Sequence, residues 1–153
     1  MKKLEITAVD IACKFIGMQE VPGQKDNPFI VWALSLCGFQ NAHDEIAWCS
    51  AFINAIAFIL GIPRSKSAAA RSWLKIGTLV SLDGAEVGND VVILKRGTGD
   101  QPGPEVIDAP GHVGLFGGID GYGRIKLLGG NQHDSVSIGF FDSQNILGIR
   151  RLL

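Results

Sequence analysis

Cys49 opens the strongly apolar segment "CSAFINAIAFILG", which the apolar spacing and the final glycine predict to be a helix over Cys49–Leu60. Unpaired backbone N–H groups and the helix dipole favour a thiolate at a helix N-terminus. A packing role is the alternative, since free cysteine often behaves as a small buried hydrophobe. Its position makes Cys49 a candidate nucleophile, which requires a base from elsewhere in the chain.

His112 is the candidate base. It begins the segment "HVGLF", in which His112 and Gly114 share one face of a predicted strand, and the glycine leaves space beside the imidazole. A strand-end histidine bonded to the backbone is the alternative interpretation. His43 and His133 lie in polar segments, and we interpret both as solvated residues.

Asn131 is the candidate for the residue that orients the base. It follows Gly129 and Gly130 in "LLGGNQHD", and glycines allow other groups to approach closely. An asparagine amide can hold a histidine ring in a productive orientation, although asparagine is also common in turns. Asp134 lies where the chain is expected to turn, so we predict that Asn131 rather than Asp134 has this role.

The first half of the sequence predicts helices that would position the cysteine. Thr7 with Asp10 resembles a capping box, and "DNPFIVWALSLCG" has a cap at Asn27 and a stop at Gly38. The Cys49–Leu60 helix is apolar nearly all round, which predicts a buried central helix. A short fourth helix is expected in "SAAARSWLK".

The second half predicts about five strands that would position the histidine. Short glycine-containing connections favour mostly antiparallel pairing. Helices followed by such strands indicate an α+β domain with helices packed on one side of the sheet. The predicted strands are Val91–Lys95, His112–Phe116, Arg124–Leu128, Ser135–Phe141 and Ile146–Arg150.

Length and composition indicate one globular domain over residues 1–153. The 153 residues are 46% hydrophobic and 19% charged, enough for one core. The formal net charge of -1 gives no overall basic field, so we expect no nucleic-acid partner. We expect a monomer without a separate binding domain.

The cysteines, the apolar runs and the N-terminal segment indicate the cellular compartment in which the protein is made. The three cysteines form no CxxC pair, which favours reduced thiols, and packing explains Cys13 and Cys37. The run Ala51–Ile62 is interrupted by Asn54 and is too short to span a bilayer, so we expect no stable membrane insertion. The N-terminal "MKKLEITAVD" lacks an apolar signal-peptide core, which favours cytoplasmic synthesis.

Five segments together resemble a known family of enzymes. "AWCSAF", "GHVGLF" and "LGGNQ" are similar to the nucleophile, histidine and third-residue motifs of the NlpC/P60 and CHAP cysteine peptidoglycan hydrolases. With "EVPG" and "SAAARSWL", they resemble a small single-domain CHAP-like family common in phages and prophages. The resemblance extends, in sequence order, from about Ile16 to Arg150.

This resemblance implies a papain-like fold and hydrolysis of amide bonds in bacterial peptidoglycan. It implies Cys49 as nucleophile, His112 as general base and Asn131 as the orienting residue. Many CHAP relatives place a carboxylate near the third position, where this chain has Gly129-Gly130. Trp48 is a candidate wall of the substrate cleft, a core tryptophan being the alternative.

We expect neither a metal nor another cofactor. Some CHAP domains bind calcium through aspartates that precede the cysteine. This chain offers only Asp26, Asp44 and Glu45 there, without a DxDxDG loop.

The resemblance further implies a phage endolysin, made in the host cytoplasm and released to the periplasmic cell wall with the help of a holin. A type VI secretion amidase effector would use the same chemistry. A catalytically inactive wall-binding module of the same fold is the alternative from another functional class. The bond that is cut, whether muramoyl–alanine or within the stem peptide, stays open.

Overall fold

The computed structural model describes residues 2–23, 26–40 and 47–153. It has an α+β architecture in which helices from the first half of the chain pack on one face of an antiparallel sheet from the second half. The predicted fold class is therefore confirmed.

The first two helices begin at the caps that the sequence predicted. Helix α1 (Ala8–Ala12) has the Thr7–Asp10 capping box, with the Thr7 backbone N–H donating to Asp10 over 2.8 Å. Helix α2 (Pro28–Ser35) begins after Asn27, whose side chain accepts from the Phe29 backbone N–H at 2.9 Å. These local bonds satisfy helix N–H groups that otherwise lack partners.

Helix α3 (Cys49–Leu60) is the central helix of the fold. Every residue from 49 to 57 is buried, as its nearly continuous apolar sequence predicted. It ends at Gly61, whose φ of 68° is the left-handed conformation that glycine adopts readily. No helix among the described residues has the length and apolarity needed to cross a bilayer.

Among the described residues, four short segments are 3₁₀ rather than α-helical. The predicted fourth helix forms such a segment, in which Trp73 is fully buried. The segments are Cys13–Phe15, Ala70–Lys75, Leu82–Gly84 and Ser143–Asn145.

In the part of the chain that the structure describes, the sheet contains six strands rather than about five, because the short β1 pairs with β6 at one edge. All pairs are antiparallel, and the spatial order is β1-β6-β2-β3-β4-β5. The strands are β1 (Thr78–Val80), β2 (Asp90–Lys95), β3 (Gly111–Ile119), β4 (Ile125–Gln132), β5 (Ser135–Phe141) and β6 (Ile146–Arg151).

The beginning of α3 is fixed by a buried polar network on one side of the helix. The Ser50 hydroxyl accepts from the Trp73 indole N–H at 2.9 Å and donates to the Ser67 carbonyl at 2.6 Å. One turn further on, the Asn54 amide donates to the Ser50 carbonyl at 3.0 Å and accepts from the Lys66 backbone N–H at 2.8 Å. The network explains why two polar residues interrupt an apolar helix, and it fastens the Ser67–Trp73 region beside Cys49.

Candidate active site

The Cys49 thiol lies at the open N-terminus of α3. Trp48 occupies the cap position but provides no side-chain cap, so the first backbone N–H groups of the helix have no side-chain partner there. The backbone N–H groups of Val113, Ser50 and Cys49 itself lie near enough to the sulfur to favour its thiolate form. The sulfur is thus held between the start of α3 and strand β3.

Opposing effects act on the ionisation of Cys49. Its side chain is 3% exposed, and this burial raises the pKa of the thiol above its ordinary value. The backbone N–H groups and the positive charge of Arg96 lower the pKa of the same thiol by a smaller amount. The resting side chain is therefore a neutral thiol at neutral pH.

His112 is buried near the start of β3, where it contacts two side chains. Its Nε2 lies 2.9 Å from Oε1 of Gln132, and its ring stacks on Phe141 with centroids 5.4 Å apart. Burial lowers the pKa of the imidazole, an effect opposed by the Gln132 bond and reinforced by Arg96. The resting imidazole is therefore neutral and able to accept a proton.

The amide of Gln132 determines which imidazole nitrogen carries the hydrogen. Its Nε2 donates to the carbonyls of Ser137 at 2.7 Å and Leu127 at 3.2 Å, so its Oε1 must face His112. An oxygen can only accept, and the neutral ring must then carry its hydrogen on Nε2. This leaves Nδ1 of His112 with a free lone pair.

The orienting contact expected from Asn131 is made by Gln132 instead. Strands β3 and β4 pair with Leu115 opposite Leu128. Continuing this register for three residues along each strand would place Asn131 opposite His112. The structure departs from that regular register.

A β-bulge causes the departure. Gly129 pairs with Ser137 and Gln132 with Ser135, so β4 contains one residue more than β5 over this stretch. Asn131 lies in the bulge with a φ of 56°, a left-handed conformation that asparagine tolerates better than most residues. The extra residue advances Gln132 into the position beside the imidazole, while Asn131 lines the adjacent cavity.

The two glycines before Asn131 make room on opposite sides of β4. A Cβ on Gly129 would lie 2.7 Å from Oε1 of Gln132, and one on Gly130 would lie 2.5 Å from the Trp48 ring. The expected close approach is therefore present, and its partners are the Gln132 amide and the Trp48 indole.

Trp48 lies in the core rather than in a substrate cleft. Its side chain is fully buried, its ring packs edge-on against Phe52, and its indole N–H donates to Glu20 at 2.7 Å. An aromatic ring this enclosed cannot contact substrate directly. Its effect on the site is to seat the start of α3 against β4.

Two adjoining cavities meet at Arg96. The Cys49 cavity, of about 340 Å³, is lined by Cys49, Arg96 and Asp108 among others, and the His112 cavity, of about 400 Å³, by His112 and Arg96 among others. No hydrogen bond joins the thiol to the imidazole within the described residues. In cysteine hydrolases, the hydrogen bond between the nucleophile and its base is often long in the ligand-free enzyme and tightens when substrate binds.

Arg71, which sequence reasoning did not single out, organises one wall of the Cys49 cavity. Its buried guanidinium donates to the backbone carbonyls of four residues in the loop that precedes β3, at distances of 2.7–3.1 Å. The end of this loop, including Asp108 and Pro110, lines the cavity. The bonded carbonyls belong to Pro102, Gly103, Val106 and Pro110.

Among the remaining candidate residues, His133 lines the His112 cavity from the β4–β5 turn, and others lie outside the described residues. His133 and Asp134 are exposed in the β4–β5 turn with positive φ angles, which confirms their interpretation as turn residues. His43, Asp44 and Glu45 fall outside the described residues. The described residues contain no group of three His, Cys, Asp or Glu side chains arranged to hold a metal ion.

Packing accounts for one of the other two cysteines and not for the second. Cys37 is partly buried, and burial raises the pKa of its thiol to about 11. Cys13 is exposed on its 3₁₀ segment, so packing does not explain it.

Comparison with known proteins identifies the fold. No family model matches the chain, and no curated protein matches it by sequence. The structure of NlpC1 from Trichomonas vaginalis aligns with 99% of this chain at a TM-score of 0.53 and 14% sequence identity. The alignment covers 46% of NlpC1, so the chain spans about half the length of that protein. The likeness establishes a papain-like fold of the NlpC/P60 type.

Proposed function

We propose that this protein is a cysteine hydrolase of peptidoglycan amide bonds, with Cys49 as nucleophile, His112 as general base and Gln132 as the orienting residue. The observation that carries the proposal is the hydrogen bond between Gln132 and His112, because it leaves Nδ1 of the imidazole free to accept a proton. A histidine with a packing role alone does not require a fixed tautomer.

The first chemical step transfers a proton as the carbon–sulfur bond forms. Since burial keeps both groups neutral at rest, the thiol proton moves to Nδ1 of His112 while Sγ attacks the amide carbonyl carbon. Backbone N–H groups at the start of α3 donate to the oxyanion, an effect worth ~3–4 kcal/mol per donor.

The second half of the cycle releases both products. The imidazolium gives its proton to the amide nitrogen, the C–N bond breaks, and an amine departs from a Cys49 thioester. His112 then takes a proton from water, which attacks the thioester. Collapse releases a carboxylic acid and restores the thiol.

Two lines of support favour peptidoglycan as the substrate. Five motifs resemble those of CHAP-like peptidoglycan hydrolases in sequence order, and the fold is shared with NlpC1. Within this class we propose the endolysin role, with cytoplasmic synthesis, holin-assisted release and action as a monomer on the wall. A type VI amidase effector has the same chemistry, and a neighbouring immunity gene in place of a holin gene would favour it.

An inactive wall-binding module is the second candidate function. The observation that favours it is the burial of the Cys49 thiol without a hydrogen bond to His112. Such a module would bind purified walls without cutting them.

The decisive experiment is mass spectrometry of fragments released from purified peptidoglycan. The wild-type protein should release fragments whose new amine and carboxyl ends identify the bond that was cut. Cys49→Ala should bind but release nothing, whereas Cys13→Ala and Cys37→Ala should remain active. Fragment release by Cys49→Ala would contradict the mechanism, and wall binding without release by the wild type would favour the inactive module.

A further inference from the structure

The His112 cavity carries positive charge in its lining. Lys95 and Arg96 both line it, and none of the described lining residues is acidic. Its other polar lining residues include the amides of Asn131, Gln132 and Asn145. A cavity with two cations and several amides favours an anionic guest.

Arg96 occupies the boundary between the two cavities. It follows Lys95, which ends β2 opposite Gly111 at the start of β3, so its backbone lies beside the approach to His112. It lines both cavities, and its charge acts on both the Cys49 thiol and the His112 imidazole. Arg96 therefore lies near both candidate reacting groups.

The guanidinium is available to a ligand. Arg96 is exposed, and within the described part of the chain it has neither an ion-pair nor a hydrogen-bond partner. Asp108, the carboxylate that lines the Cys49 cavity, forms no ion pair with it in the described structure. The fork of N–H donors on arginine matches a carboxylate in bidentate geometry.

We infer that Arg96 and the His112 cavity form a subsite for a free carboxylate of the substrate, located next to the scissile amide. The inference rests on the proposed function, because peptidoglycan stem peptides carry free carboxylates near their amide bonds. Recognition by Arg96 would select peptides whose adjacent carboxyl group is not amidated. Lys95 adds positive charge to the same cavity.

Paired alkylation of Cys49 tests the subsite without requiring wall hydrolysis. Iodoacetate and iodoacetamide attack the same thiolate, so any effect of Arg96 on thiol ionisation cancels in the ratio of their rates. The wild type should favour the anionic reagent, relative to a free peptide cysteine. Arg96→Gln should lower the iodoacetate-to-iodoacetamide ratio by roughly threefold to tenfold, as should raised salt in the wild type.

Arg124→Gln is the matched control, because it makes the same charge change at the opposite end of β3, where Arg124 pairs with Asp120. Its alkylation ratio should equal that of the wild type. An equal ratio in Arg96→Gln and Arg124→Gln would overturn the inference, as would a Cys49 that neither reagent reaches.

Wall digestion then tests the substrate carboxylate itself. Arg96→Gln should lose kcat/KM on native peptidoglycan and lose little on peptidoglycan whose carboxyl groups have been amidated. Equal losses on both walls would overturn recognition of a substrate carboxylate. A wild type that is inactive on both walls but retains the alkylation ratio would contradict the hydrolase proposal and leave the anion subsite supported.

Discussion

Oε1 of Gln132 accepts a hydrogen bond from Nε2 of His112 over 2.9 Å, and two backbone carbonyls hold the Gln132 amide in that orientation. The glutamine thus joins the backbone of two strands to one side of the imidazole. Its bond constrains both the ring orientation and the location of the ring hydrogen.

The first prediction separates Gln132 from Asn131. Gln132→Met keeps the length of the side chain but removes the acceptor, so kcat/KM on peptidoglycan should fall by one to three orders of magnitude, about 1.4 kcal/mol per factor of ten. Asn131→Gly, in which glycine tolerates the φ of 56°, should lose much less activity than Gln132→Met. A severe loss in Asn131→Gly beside an active Gln132→Met would return the orienting role to Asn131.

The second prediction displaces the Gln132 amide without changing that residue. The added methyl group in Gly129→Ala would lie 2.7 Å from Oε1, so the amide must move and weaken its bond to His112. We expect kcat/KM to fall by about tenfold with thermal unfolding changed by only a few degrees. Gly121→Ala, whose methyl group meets nothing within 4 Å, should be neutral in both measurements. Unchanged turnover in Gly129→Ala would show that the position of the amide does not matter.

The third prediction concerns pH. Burial lowers the pKa of His112 below its ordinary value of 6.5, so an unfolded chain binds more protons than the folded one just below pH 6.5. The free energy of unfolding should therefore rise with pH through this window and level off above it. Phe141→Ala removes the ring that stacks on His112 and exposes the imidazole to water, which should raise the pKa of the imidazole toward 6.5 and reduce this dependence.

Proton NMR titration of the histidine ring protons measures that shift directly, and the acid limb of the activity profile should move to higher pH with it. Phe58→Ala makes an equal change on the exposed part of α3 and should leave the titration of His112 as in the wild type. A His112 pKa that does not change in Phe141→Ala would show that the stacked ring does not control its hydration.

The fourth prediction concerns Arg71. Arg71→Met removes the guanidinium donors that bind four carbonyls of the loop before β3, leaving those carbonyls without that partner. We expect a loss of about 3 kcal/mol or more in the free energy of unfolding. Cleavage by a broad-specificity protease between residues 96 and 111 should be faster. Arg124→Met, at an exposed ion pair, should retain wild-type stability within about 1 kcal/mol.

Local sequence signals predicted much of the fold. The Thr7 and Asn27 caps, the glycine that ends α3 and the burial of α3 depend on nearby residues or on apolar periodicity, and each is present in the structure. The fold class followed from the order of helices and strands. The short β1 was missed, because a strand of three residues carries too little periodicity to recognise.

The third site residue could not be predicted by the same reasoning. Its place after two glycines at the end of a predicted strand selected Asn131, whereas the bulge advances Gln132 by one position. The signal that could have indicated the bulge is the run "GGN", since asparagine adopts positive φ more readily than most residues. Trp48 likewise required the tertiary structure, because only its contacts distinguish a core ring from a cleft wall.

The absence of a side chain at Gly130 has a mechanical consequence. Trp48 and Phe52 press directly onto the β4 backbone there, immediately before the bulge and on either side of Cys49 in the sequence. Helix α3 and β4 therefore have little freedom to slide or hinge, which makes the spacing between the nucleophile and the support of the base rigid. In a rigid site, the conformational entropy of the catalytic groups is lost once, during folding, and not again in each catalytic cycle. Gly130→Ala, which forces the helix and strand apart, should therefore reduce kcat more than it weakens substrate binding.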